Sequence, residues 1–123
     1  MTVVAAERPE AAAVLAKATL EAAARLGVSR RELARVLGLS EATLSRASRG
    51  RGLDPEDKPG ELAALFLRLY RSLDALVGGD DRAAAAWLHG DNAHLRGVPA
   101  ERIRTVEGLV DVIHYLDAMR GRV

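Results

Sequence analysis

Between Glu61 and Val77 the apolar residues Leu62, Leu65, Phe66, Leu69, Leu73, Leu76 and Val77 recur at spacings of three and four. That period lays them along one stripe of an α-helix, and a stripe this continuous has to be covered by other elements of the chain. The chain therefore needs a fold in which one long helix is a central strut. What covers it is restricted by composition: 49% of the 123 residues are hydrophobic but only 3% are aromatic, so the core is built from Ala, Leu and Val. Small and γ-branched side chains of this kind favour closely packed helices over sheets. The expected fold class is all-α, in one unit of ordinary single-domain size.

Signals for further helices lie on either side of the strut. An Ala-rich segment from about Pro9 to Leu26 places Val14, Leu15, Ala18, Ala22 and Leu26 near one face, with Pro9 suited to a first turn and Gly27 to a stop. Ser29-Arg30-Arg31-Glu32 has the capping-box pattern, in which the Ser and Glu side chains reciprocally satisfy orphaned backbone N–H groups. A helix is expected from there to Leu37, and after Gly38 a third runs from its cap at Ser40 to about Ala47. The stretch Ser48–Gly60 is rich in Gly, Pro and charge and reads as a connection. Beyond the strut, Asp80 caps a short alanine helix reaching Trp87 and Leu88. An irregular segment then leads to a last helix capped at Thr105, whose Val106, Leu109, Val110, Ile113, Leu116 and Met119 are expected to face a core. The division expected is residues 1–52, a first helix plus a helix-turn-helix, and residues 53–123, a helical C-terminal region.

The two short helices around Gly38-Leu39 have the length and spacing of a helix-turn-helix. Ala34 is small enough for a close crossing, and Leu33, Leu37, Leu39 and Leu44 supply a shared core. A structural helical hairpin would share these features. Charge favours nucleic acid: from Arg25 to Gly52 seven arginines face two glutamates, a local net charge of +5 in a chain of net charge +1. A basic block in an otherwise slightly acidic chain is what phosphate neutralisation requires. In such a unit the second helix enters the major groove, so Ser40, Glu41, Thr43 and Arg46 are the candidate base readers. Arg46 is suited to guanine O6 and N7, and Glu41 either to cytosine N4 or simply to the positive end of its own helix. Arg30, Arg31, Arg49 and Arg51 are placed as phosphate clamps. Two-fold dimerisation on a pseudo-palindrome is the usual way to strengthen such a module.

Enzymatic chemistry finds no support. His89, His94 and His114 lack metal-ligand spacing, there is no cysteine, and no nucleophile motif or phosphate-cradling glycine loop is present. Asp80-Asp81 and Asp91-Asn92 stand beside glycines as caps and turn residues. Neither a cofactor nor a metal is expected. No apolar run approaches the roughly 20 residues of a membrane span, and Glu7 and Arg8 stand where a signal peptide would be apolar, so a cytoplasmic protein is expected.

From Ala84 onward the chain resembles the toxin-binding domain of the Xre/MbcA/ParS-type antitoxins. The features that carry the resemblance are Ala86-Trp87-Leu88, Asn92, Leu95-x-Gly97-x-Pro99, Thr105-x-Glu107-Gly108, and a closing apolar helix with Val112, Leu116 and Gly121. With the helix-turn-helix, the resemblance covers most of the chain from about Leu26. It implies an antitoxin that neutralises a RES-type toxin, an enzyme that consumes NAD or uses it for ADP-ribosylation, by steric occlusion of the toxin's active site with the antitoxin's C-terminal end. Carried onto this sequence, the residues implied in toxin binding are Asp117, Arg120, Gly121, Arg122 and Val123, with Trp87. Arginines suit a site built to hold a pyrophosphate. The alternatives are a solvated tail whose arginines complement the helix dipole, and for Trp87 an anchor of the C-terminal core. Autorepression through operator DNA would accompany toxin binding, in a homodimer or a toxin–antitoxin hetero-oligomer. The rival reading is a stand-alone helix-turn-helix regulator whose C-terminal half dimerises or senses a metabolite.

Overall fold

A computed structural model describes the backbone of residues 2–121 and the side chains of residues 9–121. The described residues form seven α-helices: α1 (Thr2–Arg25), α2 (Arg30–Leu37), α3 (Glu41–Arg46), α4 (Lys58–Leu76), α5 (Asp81–His89), α6 (Pro99–Arg102) and α7 (Val106–Arg120). Helix α4 packs against α1, α2, α5 and α7, so the Leu stripe is the strut its period implies. Phe66, Leu69 and Leu73 are fully buried in a continuous core with Leu33, Leu37 and Leu44 from one half and Leu88, Leu109, Ile113 and Leu116 from the other.

The helix starts are set locally. The hydroxyls of Ser29, Ser40 and Thr105 accept from the backbone N–H groups of Glu32, Thr43 and Gly108, and the Asp80 carboxylate accepts from those of Arg82 and Ala83. Asp57 does the same for Gly60, which moves the start of α4 three residues upstream of Glu61 and places Pro59 in its first turn. Gly38 takes the left-handed conformation (φ 69°, ψ 32°) that turns α2 into α3. The capping box at Ser29 is only half formed: the Glu32 carboxylate turns away from the helix start and accepts from Arg104, at 3.0 and 3.2 Å.

Helix α1 departs from its expected form in two ways. It begins at Thr2, with Pro9 in its interior, where the ring forgoes one backbone hydrogen bond that the surrounding alanines offset by propensity. Its inward face is Ala12, Ala16, Thr19, Ala22 and Ala23, with buried Leu26 just past its end, while Val14 points to solvent at 68% exposure. Small residues on that face allow close approach. The Leu53 N–H donates to the Ala12 carbonyl at 3.0 Å, and the chain passes so near that a β-carbon on Gly52 would lie 2.6 Å from the Ala12 backbone. Thr19, fully buried, satisfies its hydroxyl on the Leu15 carbonyl at 2.6 Å.

After α5 the chain makes a tight reversal, in which Asn92 and Gly97 pair across a single antiparallel bridge and Asn92 Oδ1 accepts from Leu95 N–H. The one-turn helix α6, inside the segment expected to be irregular, begins at Pro99 and delivers Ile103 to the core. On α7, Val106 is 57% exposed instead of inward, and Val112 takes a core position beside Leu109 and Ile113. Among the described residues no helix is long and apolar enough to cross a membrane.

Candidate functional site

The basic block separates into two populations. Arg25 pairs with Asp81 at 3.6 Å and Arg35 with Glu32 at 3.7 Å, so both serve the fold. Arg30, Arg31, Arg46, Arg49 and Arg51 are exposed and form no ion pair among the described residues. Arg30 and Arg31 stand in the first turn of α2. Arg46 closes α3, and Arg49 and Arg51 lie in the wide turn that follows, where Arg49 and Gly50 leave helical geometry. Five guanidiniums without an ion pair, carried by the helix-turn-helix and the turn after it, leave positive charge exposed there.

On α3 the four candidate readers have different duties. Ser40 is committed to its cap and donates to the Thr43 hydroxyl at 2.9 Å; Thr43 Oγ1 in turn accepts from Arg46 Nη2 at 3.1 Å. The Arg46 guanidinium is thus steered by the helix itself and keeps further N–H donors for a base edge. Glu41 is exposed in the first turn. Thr43, Arg46 and Arg51 share the lining of one cleft with Asp54 and Asp57; Arg30 and Arg31 do not line it.

Toward the C-terminal end of the chain, α7 is fastened to α4 by a polar cluster. Asp117 accepts from Arg68 Nη2 at 2.6 Å and from the Ser72 hydroxyl at 2.8 Å, and Arg120 Nη1 donates to Ser72 Oγ at 3.2 Å. The Ser72 hydroxyl, the Arg68 guanidinium and the charge of Arg120 together hold the Asp117 carboxyl below its ordinary value. Two of the residues implied in toxin binding, Asp117 and Arg120, therefore sit together, with Asp117 engaged inside the molecule. Gly121 follows directly, its N–H donating to the Asp117 carbonyl at 3.1 Å; Arg122 and Val123 lie outside the described residues.

Trp87 is half-buried at the edge of the core and stacks on Tyr115, ring centroids 6.2 Å apart, with the exposed His94 ring 5.6 Å from the same tyrosine. Arg68, Ser72 and Tyr115 were not among the residues singled out from the sequence, and His94 was weighed there only as a metal ligand. For Ser72 a signal existed: a serine between Leu69 and Leu76 on a core stripe is a polar group that needs a buried partner. Its partners, 45 and 48 residues away, leave no trace in local spacing.

The halves are also joined directly. Besides Glu32–Arg104 and Arg25–Asp81, His89 Nε2 lies 3.0 Å from the Leu26 carbonyl. A cavity of about 310 Å³ lies at this seam between α2 and α6, lined by Val28, Val36, Val98 and Ile103.

Two family models match the chain. The antitoxin Xre-like helix-turn-helix domain matches residues 5–68, and the antitoxin Xre/MbcA/ParS C-terminal toxin-binding domain matches residues 72–122. No curated protein matches it.

Proposed function

The chain belongs to the Xre/MbcA/ParS family of antitoxins, and on that premise we propose that it silences a RES-type toxin by laying its C-terminal end over the toxin's NAD site. The matched toxin-binding span closes with α7, whose last turn carries Arg120 exposed at the end of a helix anchored to α4. That arrangement carries the reading: a fixed helix end presenting a cation fits a site shaped for a pyrophosphate. Occlusion asks for no chemistry from the antitoxin, which acts as a plug and not as an enzyme. Trp87, with Tyr115 and His94, supplies an aromatic contact of the kind that dominates protein interfaces.

The same chain represses its own operon through the helix-turn-helix, with Arg46 and Glu41 toward base edges and Arg30, Arg31, Arg49 and Arg51 on phosphates. Five unpaired arginines support this part. It operates in the cytoplasm, where operator DNA and NAD are found, as a homodimer or as a hetero-oligomer with the toxin.

The test is co-purification with the product of the adjacent gene, followed by an NAD-consumption assay with the full chain and with a chain ending at Met119. Binding plus suppression by the full chain, and loss of suppression by the shortened one, is the expected result. No complex and no change in NAD sinks toxin binding and leaves a stand-alone regulator. For DNA, the affinity for a fragment from upstream of the chain's own reading frame is measured against salt. Arg49→Ala and Arg51→Ala should each lower the slope of log affinity on log salt by about 1; an unchanged slope removes them from the interface.

A further inference from the structure

The polar cluster between α4 and α7 has a geometry that a simple stabilising ion pair does not need. Ser72 is 2% exposed, and its single hydroxyl is used twice, donating to Asp117 Oδ1 at 2.8 Å and accepting from Arg120 Nη1 at 3.2 Å. Arg68 holds the other carboxylate oxygen at 2.6 Å. Arg120 is thus tied to Asp117 through the serine. One of its N–H donors is spent on Ser72, and the guanidinium retains the remaining donors of its planar fork.

The last turn of a helix normally frays, because its final carbonyls lack intrahelical partners. Here the turn is pinned on both sides: Gly121 N–H closes on the Asp117 carbonyl at 3.1 Å, and the Asp117 side chain is bolted to α4. The last turn of α7 is therefore held by α4.

We propose that Arg68, Ser72 and Asp117 are positioning residues that preset the orientation of Arg120 for the toxin without touching the toxin themselves. The inference rests on the occlusion reading above and adds to it how the plug is aimed. Its physical content is preorganisation: a side chain and helix end already held in the free antitoxin need not be ordered on binding.

The experiment is a double-mutant cycle on toxin affinity, using full-length Ser72→Ala, Arg120→Ala and the pair, with NAD consumption followed in parallel. Ser72→Ala and Arg120→Ala should each raise the Kd for the toxin about tenfold, and the double variant should be no worse than the weaker-binding single. Hydrogen exchange at the amide of Gly121 should accelerate in free Ser72→Ala. Effects that multiply in the double variant mean that Ser72 acts through the fold alone, which overturns the proposal. Arg120→Ala effective with Ser72→Ala silent overturns the latch and leaves occlusion standing; Arg120→Ala silent in both affinity and NAD consumption overturns the occlusion reading itself. If Ser72→Ala does not fold, Asp117→Asn replaces it in the same cycle with the same criteria.

Discussion

At position 108 a β-carbon would stand 1.8 Å from the Arg102 carbonyl oxygen, and at position 60 one would stand 1.8 Å from that of Asp54. Both glycines lie in the first turn of a helix, where alanine on propensity alone would stabilise by about 1 kcal/mol. Backbone cannot yield as a flexible side chain does, so the clash wins. Gly108→Ala is expected to destabilise by about 2–3 kcal/mol, read from urea unfolding; a stabilised variant would show that α6 can withdraw. At Asp117 the sign follows from its lowered pKa: the carboxylate contributes stability above its ordinary value of 3.8, and loses it as pH falls through the lower folded-state value. Asp117→Asn should cost about 1 kcal/mol or less at pH 7, since the pair is partly exposed, and the difference from the parent should close as pH falls below that range. At this scale the sequence was readable where the partner is three residues away, as for the caps at Ser29, Ser40, Asp80 and Thr105. It was silent where the partner is on another helix. Glu32 looked like half of a capping box, and its carboxylate went to Arg104, 72 residues on.

Elements were legible in proportion to the strength of their period. The α4 stripe, the helix-turn-helix and the start of α7 follow from spacing and caps, because each of those signals is local. Helix α1 was harder: alanines dominate every face, so apolar periodicity could not tell inside from outside, and Val14 went to solvent while Ala12 and Ala16 went to the core. Helix α6 is a single turn, too short to show any period at all. Two predictions belong to elements. Phe66→Ala on α4 removes the largest fully buried side chain and should cost about 3–5 kcal/mol; operator binding and toxin binding should fall together, measured on the same preparation. Retention of one activity without the other would show that the strut serves only one half. Ser40→Ala should cost about 1 kcal/mol through the lost cap and loosen the Thr43–Arg46 contact, with thermal unfolding as the check.

For the whole molecule, one core runs through α4 from the helix-turn-helix to α7, and ion pairs cross the seam at Glu32–Arg104 and Arg25–Asp81. Unfolding should therefore be a single transition: helix content by circular dichroism and the fluorescence of Trp87, the chain's one tryptophan, should trace superimposable curves. Separate midpoints would mean that the halves melt independently. The overall class was legible because an aromatic-poor, Leu- and Ala-rich core leaves few options. The pairing of a helix-turn-helix with a toxin-binding domain was legible because the signals of the first lie before residue 52 and the resemblance to the second begins at Ala84, and both family models match. The way the halves share a core was not, since that depends on contacts between distant residues. The two matched spans meet at residues 68–72, inside the unbroken helix α4. That leaves no linker at the join, so a protease can separate the two matched domains there only after α4 opens. Under the proposed function, operator repression and toxin neutralisation would then share one half-life.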